Sequence, residues 1–350
     1  MHKHGGDIYS NENKIDYSAN INFLGMPESV KKAAKEAIGR SEHYPDVQCR
    51  KLKEAIGEKD GISPEYLFCG NGAADVIFSL ALARRPERAL LPIPSFYEYE
   101  QALNSVQCGI VPHLLSKEND FRLGEDILEK ITPQTDLLFL CNPNNPTGEL
   151  VRQSLMEKIL RKCDQTETLL VVDECFNEFL ERPEEHTMTP FVFQSRQLFV
   201  LKAFTKMYAM PGLRLGYGIC SDEALLMRMA QVSQPWRVSV PAEAAGIAAT
   251  KEADFVIRSR REILKQKEMM AAAMRRMGYK IYGSRANYIF FEGDPRTYEK
   301  MLSRGFVIRD CSNYRGLQKG FFRAAVRSQK ENRAFLAALE SCAQDDKGSE

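Results

Sequence analysis

The chain has 350 residues, 44% of them hydrophobic and 27% charged, with 48 basic against 47 acidic side chains for a formal net charge of +1. Such a composition describes a soluble globular chain of about two domains, and because both signs are interspersed without a long basic run, nucleic acid is not an expected partner and attraction for an anion must be local to a pocket. Nine cysteines without a Cys-x-x-Cys pair argue against a disulfide framework or a zinc site and for a reducing compartment, with cytoplasm the default; neither an apolar leader in Met-His-Lys-His-Gly-Gly-Asp nor an apolar run of the ~20 residues a membrane span needs is found, so no membrane and no metal are expected.

In chain order, a helical pattern runs from Glu28 to Gly39, with Gly39 as its stop. A β-like run, Tyr66 to Cys69, precedes a helix from Ala73 to Arg84, and a second, Ala89 to Ile93, precedes a helix from Tyr97 to Ser105. The runs Asp136 to Cys141 and Leu169 to Asp173 flank a helix from Gln153 to Cys163. Leu198 to Leu201 and Leu215 to Cys220 follow, and then a helix from Glu223 to Val232. Strands alternating with helices predict a doubly wound, mostly parallel sheet. After residue 245 the character changes: one long charged helix from Asp254 to Met277, short strands at Asn287 to Phe291 and Phe321 to Val326, and a last helix after Gln329, with the polar tail Gln344 to Glu350 expected to fray. We therefore expect an α/β chain with an N-terminal arm at 1–40, a large domain at 41–245 and a small α+β domain at 246–350.

The stretch Ala203-Phe-Thr-Lys-Met-Tyr-Ala-Met-Pro-Gly-Leu-Arg-Leu-Gly-Tyr217 carries the most information. It puts Lys206 just past a strand, where open α/β sheets bind their ligands, and Arg214 eight residues further on. A lysine there can form a Schiff base, and the tract reads as a pyridoxal 5′-phosphate (PLP) site, because that cofactor needs a covalent anchor together with cations or backbone N–H groups for its phosphate. Thr205 and Arg214 are the phosphate ligands expected on this reading. Lys202 is the competing lysine, within the strand. Gly70-Asn-Gly-Ala-Ala-Asp75 also follows a strand and opens a helix, so the N–H groups of Gly72, Ala73 and Ala74 can meet a phosphate, or the tract is a plain strand-to-helix turn. Asp173 ends a buried-looking strand; it either pairs with a protonated pyridine nitrogen or caps the next helix.

These tracts together resemble the fold type I PLP-dependent enzymes, the aminotransferase superfamily, over nearly the whole chain. The resemblance implies Lys206 as the Schiff-base lysine and Asp173 as the partner of the ring nitrogen. It further implies Asn145, in Cys141-Asn-Pro-Asn-Asn-Pro-Thr-Gly148, as a donor to the cofactor's phenolic oxygen, and Phe96, in Pro94-Ser-Phe-Tyr-Glu-Tyr99, as the aromatic ring stacked on it. Tyr44, in His43-Tyr-Pro-Asp46, resembles the tyrosine that reaches the neighbouring subunit's cofactor, which implies a homodimer. Phe176 stands where many relatives carry Tyr, so one hydrogen bond to the phenolic oxygen is missing here.

A narrower resemblance is to the threonine-phosphate decarboxylases of cobalamin synthesis, with the histidinol-phosphate aminotransferases as near neighbours. It rests on His4-Gly-Gly-Asp, Asp16-Tyr-Ser-Ala-Asn-Ile-Asn22 with Leu24-Gly25, Ile308-Arg-Asp-Cys-Ser-Asn-Tyr314 and Arg323-Ala-Ala-Val-Arg327. By it, Arg323 holds a substrate carboxylate, His4, Gly5, Asn20 and Arg309 surround a small phosphorylated amino acid with Arg309 on its phosphate, and Arg327 is substrate-facing or structural. Two reactions are then open, decarboxylation of O-phospho-L-threonine to (R)-1-amino-2-propanol O-2-phosphate or transamination. The residues are shared; the bond held perpendicular to the cofactor ring decides.

Overall fold

Runs of Leu, Val and Ile become the buried middle of a seven-stranded sheet. Strands Leu137–Cys141 and Leu169–Asp173 are buried at every residue, as near-continuous apolar strands must be when helices cover both faces of a parallel sheet. Each such side chain contributes about 1.5–3 kcal/mol on leaving water. The computed structural model describes residues 4–347. Across the sheet the strands run Leu67–Gly70, Gly216–Cys220, Leu198–Ala203, Leu169–Asp173, Leu137–Cys141, Arg88–Ile93 and Gly109–Leu114.

Gly216–Cys220 is antiparallel to both of its neighbours and the remaining pairings are parallel. Two reversals restore the direction, so Leu67–Gly70 points the same way as Leu198–Ala203. The carboxyl ends of six strands therefore lie along one edge, and the chain enters Gly216–Cys220 from that edge as well. Everything predicted for the site, from the turn at Gly72 to Arg214, is delivered there.

A smaller antiparallel sheet, ordered Arg309–Asp310, Phe321–Ala325, Tyr288–Glu292 and Lys280–Tyr282, faces the same edge. The chain's first described segment is stitched to it. Ile15–Asp16 pairs in parallel with Phe306–Val307, and the N–H of Ala325 donates to the carbonyl of Tyr17. Tyr17 is fully buried and stacks on Phe335 at 4.3 Å between centroids. The two sheets meet through polar contacts: the Tyr288 hydroxyl donates to the Asn144 carbonyl at 2.6 Å and the Ser284 N–H to that of Thr147 at 3.2 Å.

The predicted elements appear, three of them (Tyr97–Ser105, Leu169–Asp173 and Glu223–Val232) with the expected bounds and the others with ends shifted by a residue or a few. The stop at Gly39 is corrected: the helix Glu28–Ala37 tightens into a 3₁₀ turn, Ile38–Arg40, that runs through the glycine. The tail is corrected in part, since the last helix runs Gln329–Lys347, while residues 348–350, like the predicted arm's residues 1–3, lie outside the described residues. Several elements were not anticipated, among them the short strands Lys280–Tyr282 and Arg309–Asp310 of the small sheet and three longer elements. Gly109–Leu114 is an edge strand that tolerates Pro112 because it has a partner on one side only. Arg50–Asp60 is strongly charged and lacks a capping side chain. Val240–Ala249 was legible, because Ser239 caps it by accepting from the N–H of Ala242 and Pro241 sits in its first turn.

Candidate active site

Between the carboxyl edge of the large sheet and the small sheet lies a cavity of about 270 Å³, and Lys206 stands in its wall. The lysine is half-buried just past strand Leu198–Ala203. Loss of water, then the nearby Arg323 and Arg214, pull its ammonium down to about 8, which leaves a usable fraction of neutral, nucleophilic amine near neutral pH. Lys202 is elsewhere. Its Nζ lies 3.6 Å from Asp60 and lines a separate hollow, so the competing lysine is not in this cavity.

Asp173, at the end of strand Leu169–Asp173, also lines the cavity. Its carboxylate accepts from the Tyr99 hydroxyl at 2.5 Å and from the Cys175 N–H at 2.9 Å. Burial still raises its pKa against those donors, so a cation at this spot would be strongly favoured. It caps no helix: the next helical turn, Asn177–Phe179, has no side-chain cap. Phe176 brings its ring centroid to 5.9 Å from the Lys206 Nζ, with no hydroxyl to offer.

The far end of the cavity is cationic and rich in N–H groups. Ala73 and Ala74 open the helix Gly72–Arg84 and line the cavity with Thr205 and Arg214; the first turn of a helix has N–H groups without partners inside it. Gly72 does not itself line the cavity, but it shapes that end. Its φ is +83°, and a Cβ there would come within 2.5 Å of an Arg214 guanidinium nitrogen, so only glycine lets the arginine lie against the turn. Phe96 precedes the helix Tyr97–Ser105 and forms another part of the wall.

The small sheet supplies the opposite wall. Arg309 and Arg323 are directly paired across adjacent antiparallel strands and both are buried. Arg323 donates to the Asn145 side-chain oxygen and, at 2.8 Å, to the carbonyl of Ser18; the Tyr314 hydroxyl also donates to Asn145, at 3.4 Å. Arg309 donates to Asn313 at 2.8 Å. His4, Gly5 and Asn20 reach the cavity from the N-terminal segment.

Of the sequence-predicted residues, Tyr44 lies outside the cavity of its own chain, 78% exposed and stacked on Trp236 at 4.3 Å. Arg327 is also outside: it pairs with Glu331 at 2.8 Å and donates to the carbonyl of Asp16. Sequence reasoning missed Tyr99, Glu98, Cys175 and Tyr314. Tyr99 and Glu98 sat in a tract read for Phe96 alone; helical spacing carries Tyr99 from the cavity wall into the core below Asp173.

Three buried polar atoms of cavity residues have no hydrogen-bond partner: the Asn20 Oδ1, a Glu98 carboxyl oxygen and the Arg323 Nε. Such groups call for a partner, and these three are placed where a ligand in the cavity could supply one. The donor set fits PLP, which brings a phosphate for Arg214 and the helix N-terminus, a ring cation for Asp173 and an aldehyde for Lys206.

Residues 12–339 match the family described as aminotransferase class I and II. The chain belongs to that family. This aminotransferase-family chain is a PLP-dependent enzyme, and it is 34% identical over 350 residues to the threonine-phosphate decarboxylase of Salmonella typhimurium, covering 97% of this chain and 96% of the relative. It is 30% identical to a histidinol-phosphate aminotransferase of Methanosarcina mazei, covering 94% and 88%. Among solved structures, the histidinol-phosphate aminotransferase from Clostridium acetobutylicum superposes with a TM-score of 0.88 at 28% identity, covering 94% of this chain and 99% of that one. Among the described residues no helix is long and apolar enough to cross a membrane, and no cluster of three or more His, Cys, Asp or Glu side chains could hold a metal ion.

Proposed function

We propose that the protein decarboxylates O-phospho-L-threonine to (R)-1-amino-2-propanol O-2-phosphate, a step toward the corrinoid side chain, as a cytoplasmic homodimer with 41–245 as the cofactor-holding unit. One observation carries this reading: Arg309 and Arg323 face each other in register across two strands, both buried. Like charges placed so are unfavourable, and the arrangement is reasonable where two anionic groups of one ligand compensate them. A phosphorylated amino acid has two such ends.

PLP supplies the electron sink that takes up the pair released at Cα. The chain's residues do the rest. Lys206 would hold the cofactor through its amine and would carry the proton that Cα receives. Asp173, which accepts from Tyr99 and the Cys175 N–H, would pair with the ring cation. Ala73, Ala74, Thr205 and Arg214 would hold the cofactor phosphate, with Gly72 leaving room for the Arg214 guanidinium, while Phe96 would offer an aromatic face to the ring and Asn145 a polar contact to cofactor and substrate. Arg323 grips the substrate carboxylate in bidentate fashion, while Arg309 with His4, Gly5 and Asn20 holds the phosphate. Fixing both ends of the substrate would restrict it to one orientation at Cα, and decarboxylation requires the orientation in which the bond to the carboxylate is the one that breaks.

Transamination of a histidinol phosphate-like amine is the second reading, favoured by the TM-score of 0.88 to such an enzyme. The deciding experiment incubates the PLP-loaded protein with O-phospho-L-threonine and no 2-oxo acid. Carbon dioxide release over many turnovers is the expected result. No release, with a stoichiometric spectral change to pyridoxamine phosphate on histidinol phosphate, would replace it with the transferase.

A further inference from the structure

The cavity wall holds an acid that the mechanism above does not use. Glu98 is the second residue of helix Tyr97–Ser105 and lines the cavity. One of its carboxyl oxygens lies 3.4 Å from the His4 Nδ1; the other is buried with no hydrogen-bond partner. His4 is held from a second side by the edge of the Tyr97 ring, 6.4 Å between centroids. Its backbone is fixed as well: the Gly6 N–H donates to the Ser18 hydroxyl at 2.7 Å, and Gly5 lies so close to the Ser18 carbonyl that no Cβ would fit.

We propose that Glu98 and His4 form a proton-sharing pair that pins the N-terminal segment across the cavity and sets the pH range in which the site accepts a phosphate dianion. Glu98 thus acts as a positioning and specificity residue, and the inference rests on the phosphorylated-substrate reading above.

A carboxylate at this place repels a phosphate held by Arg309 and His4, whereas the protonated acid does not and can donate to it. The groups facing Glu98 are His4 from the N-terminal segment, Lys206, Asp173, Arg309, and Tyr314. Burial, the largest influence, pushes its carboxyl up to about 7 against the opposing pull of its own N–H, Lys206 and Arg309. Burial and then Arg309 lower the His4 imidazolium from its ordinary value. Near neutral pH the pair therefore holds a proton only part of the time. An arriving dianion raises both affinities for a proton, so binding draws one in and weakens as pH rises above 7. Below about pH 6 the phosphate itself becomes a monoanion.

The test is calorimetric binding of O-phosphoethanolamine to the holoenzyme at pH 7.5 in two buffers of different ionisation enthalpy, which counts protons taken up. Wild type should take up about half a proton more per site than Glu98→Gln. In parallel, KM for O-phospho-L-threonine in wild type should rise about tenfold from pH 7 to 8.5, and in the variant less than about twofold, with the effect on KM exceeding that on kcat. His4→Gln should erase the same difference and serves if Glu98→Gln does not fold. Equal proton uptake in wild type and variants overturns the pair, as does a wild-type site with no affinity for the phosphorylated amine. A variant that loses kcat while keeping KM and its pH profile overturns it too, by making Glu98 a catalytic acid. A protein that shows the uptake difference yet never releases carbon dioxide keeps the pair and loses the decarboxylase.

Discussion

At the scale of single residues, the site is a set of side chains whose ordinary chemistry is altered by burial. Lys206 is the main case. With its ammonium lowered to about 8 by loss of water, Arg323 and Arg214, the free amine needed to capture PLP grows as pH rises and is nearly complete above about 9. The rate of cofactor loading onto apoprotein should therefore increase through pH 8 and then level off; a rate flat between pH 6.5 and 9.5 would place the titrating group elsewhere. Lys206→Ala should bind PLP without the absorbance band of lysine-bound cofactor. A surviving band would implicate Lys202, which the fold turns toward Asp60 and away from the cavity. Sequence order separated these two lysines by motif alone; strand geometry separates them by direction.

At the scale of elements, the strand-to-helix turn at Gly70–Gly72 shows how a glycine preference arises. The sequence marks a turn opening a helix and nothing more. In three dimensions Gly72 has φ +83° and lies against Arg214, so Gly72→Ala meets both a left-handed backbone and a displaced guanidinium. We expect a stability loss of about 1–2 kcal/mol by thermal unfolding of the apoprotein. Cofactor affinity should fall further, by about tenfold or more on titration with PLP, since one charge-assisted contact is worth about 1.5–3 kcal/mol. An affinity unchanged while stability drops would remove Arg214 from the phosphate end. The antiparallel pair holding Arg309 and Arg323 is the second such device. The Arg-Asp-Cys and Arg-Ala-Ala tracts are visible in sequence, but their register, and hence two cations side by side, is a property of the ladder.

At the scale of the whole molecule, Tyr44 and Trp236 form an exposed stacked pair, and the family resemblance assigns Tyr44 to a neighbouring subunit's site. Sedimentation equilibrium should give twice the chain mass of 39.8 kDa. Mixing inactive Tyr44→Ala and Lys206→Ala chains should restore part of the activity, because each mixed dimer holds one intact site. A monomeric species with full activity would take Tyr44 out of the mechanism.

By itself the sequence determined the fold class, because alternating apolar runs and helical stretches leave a doubly wound sheet as the economical way to bury them. It also singled out Lys206, Asp173 and Arg214, which the structure brings to one cavity, since a lysine, an acid and an arginine at strand ends carry their meaning in their type and order. Tertiary structure decided the rest. It put Lys202 behind the sheet and Tyr44 outside its own chain's cavity, brought Tyr99 beneath Asp173, set Arg309 against Arg323 and left a Glu98 oxygen unpartnered beside His4. None of these can be read along a chain, because they depend on which side of a strand a residue faces and on contacts between segments far apart in sequence, such as His4 with Glu98.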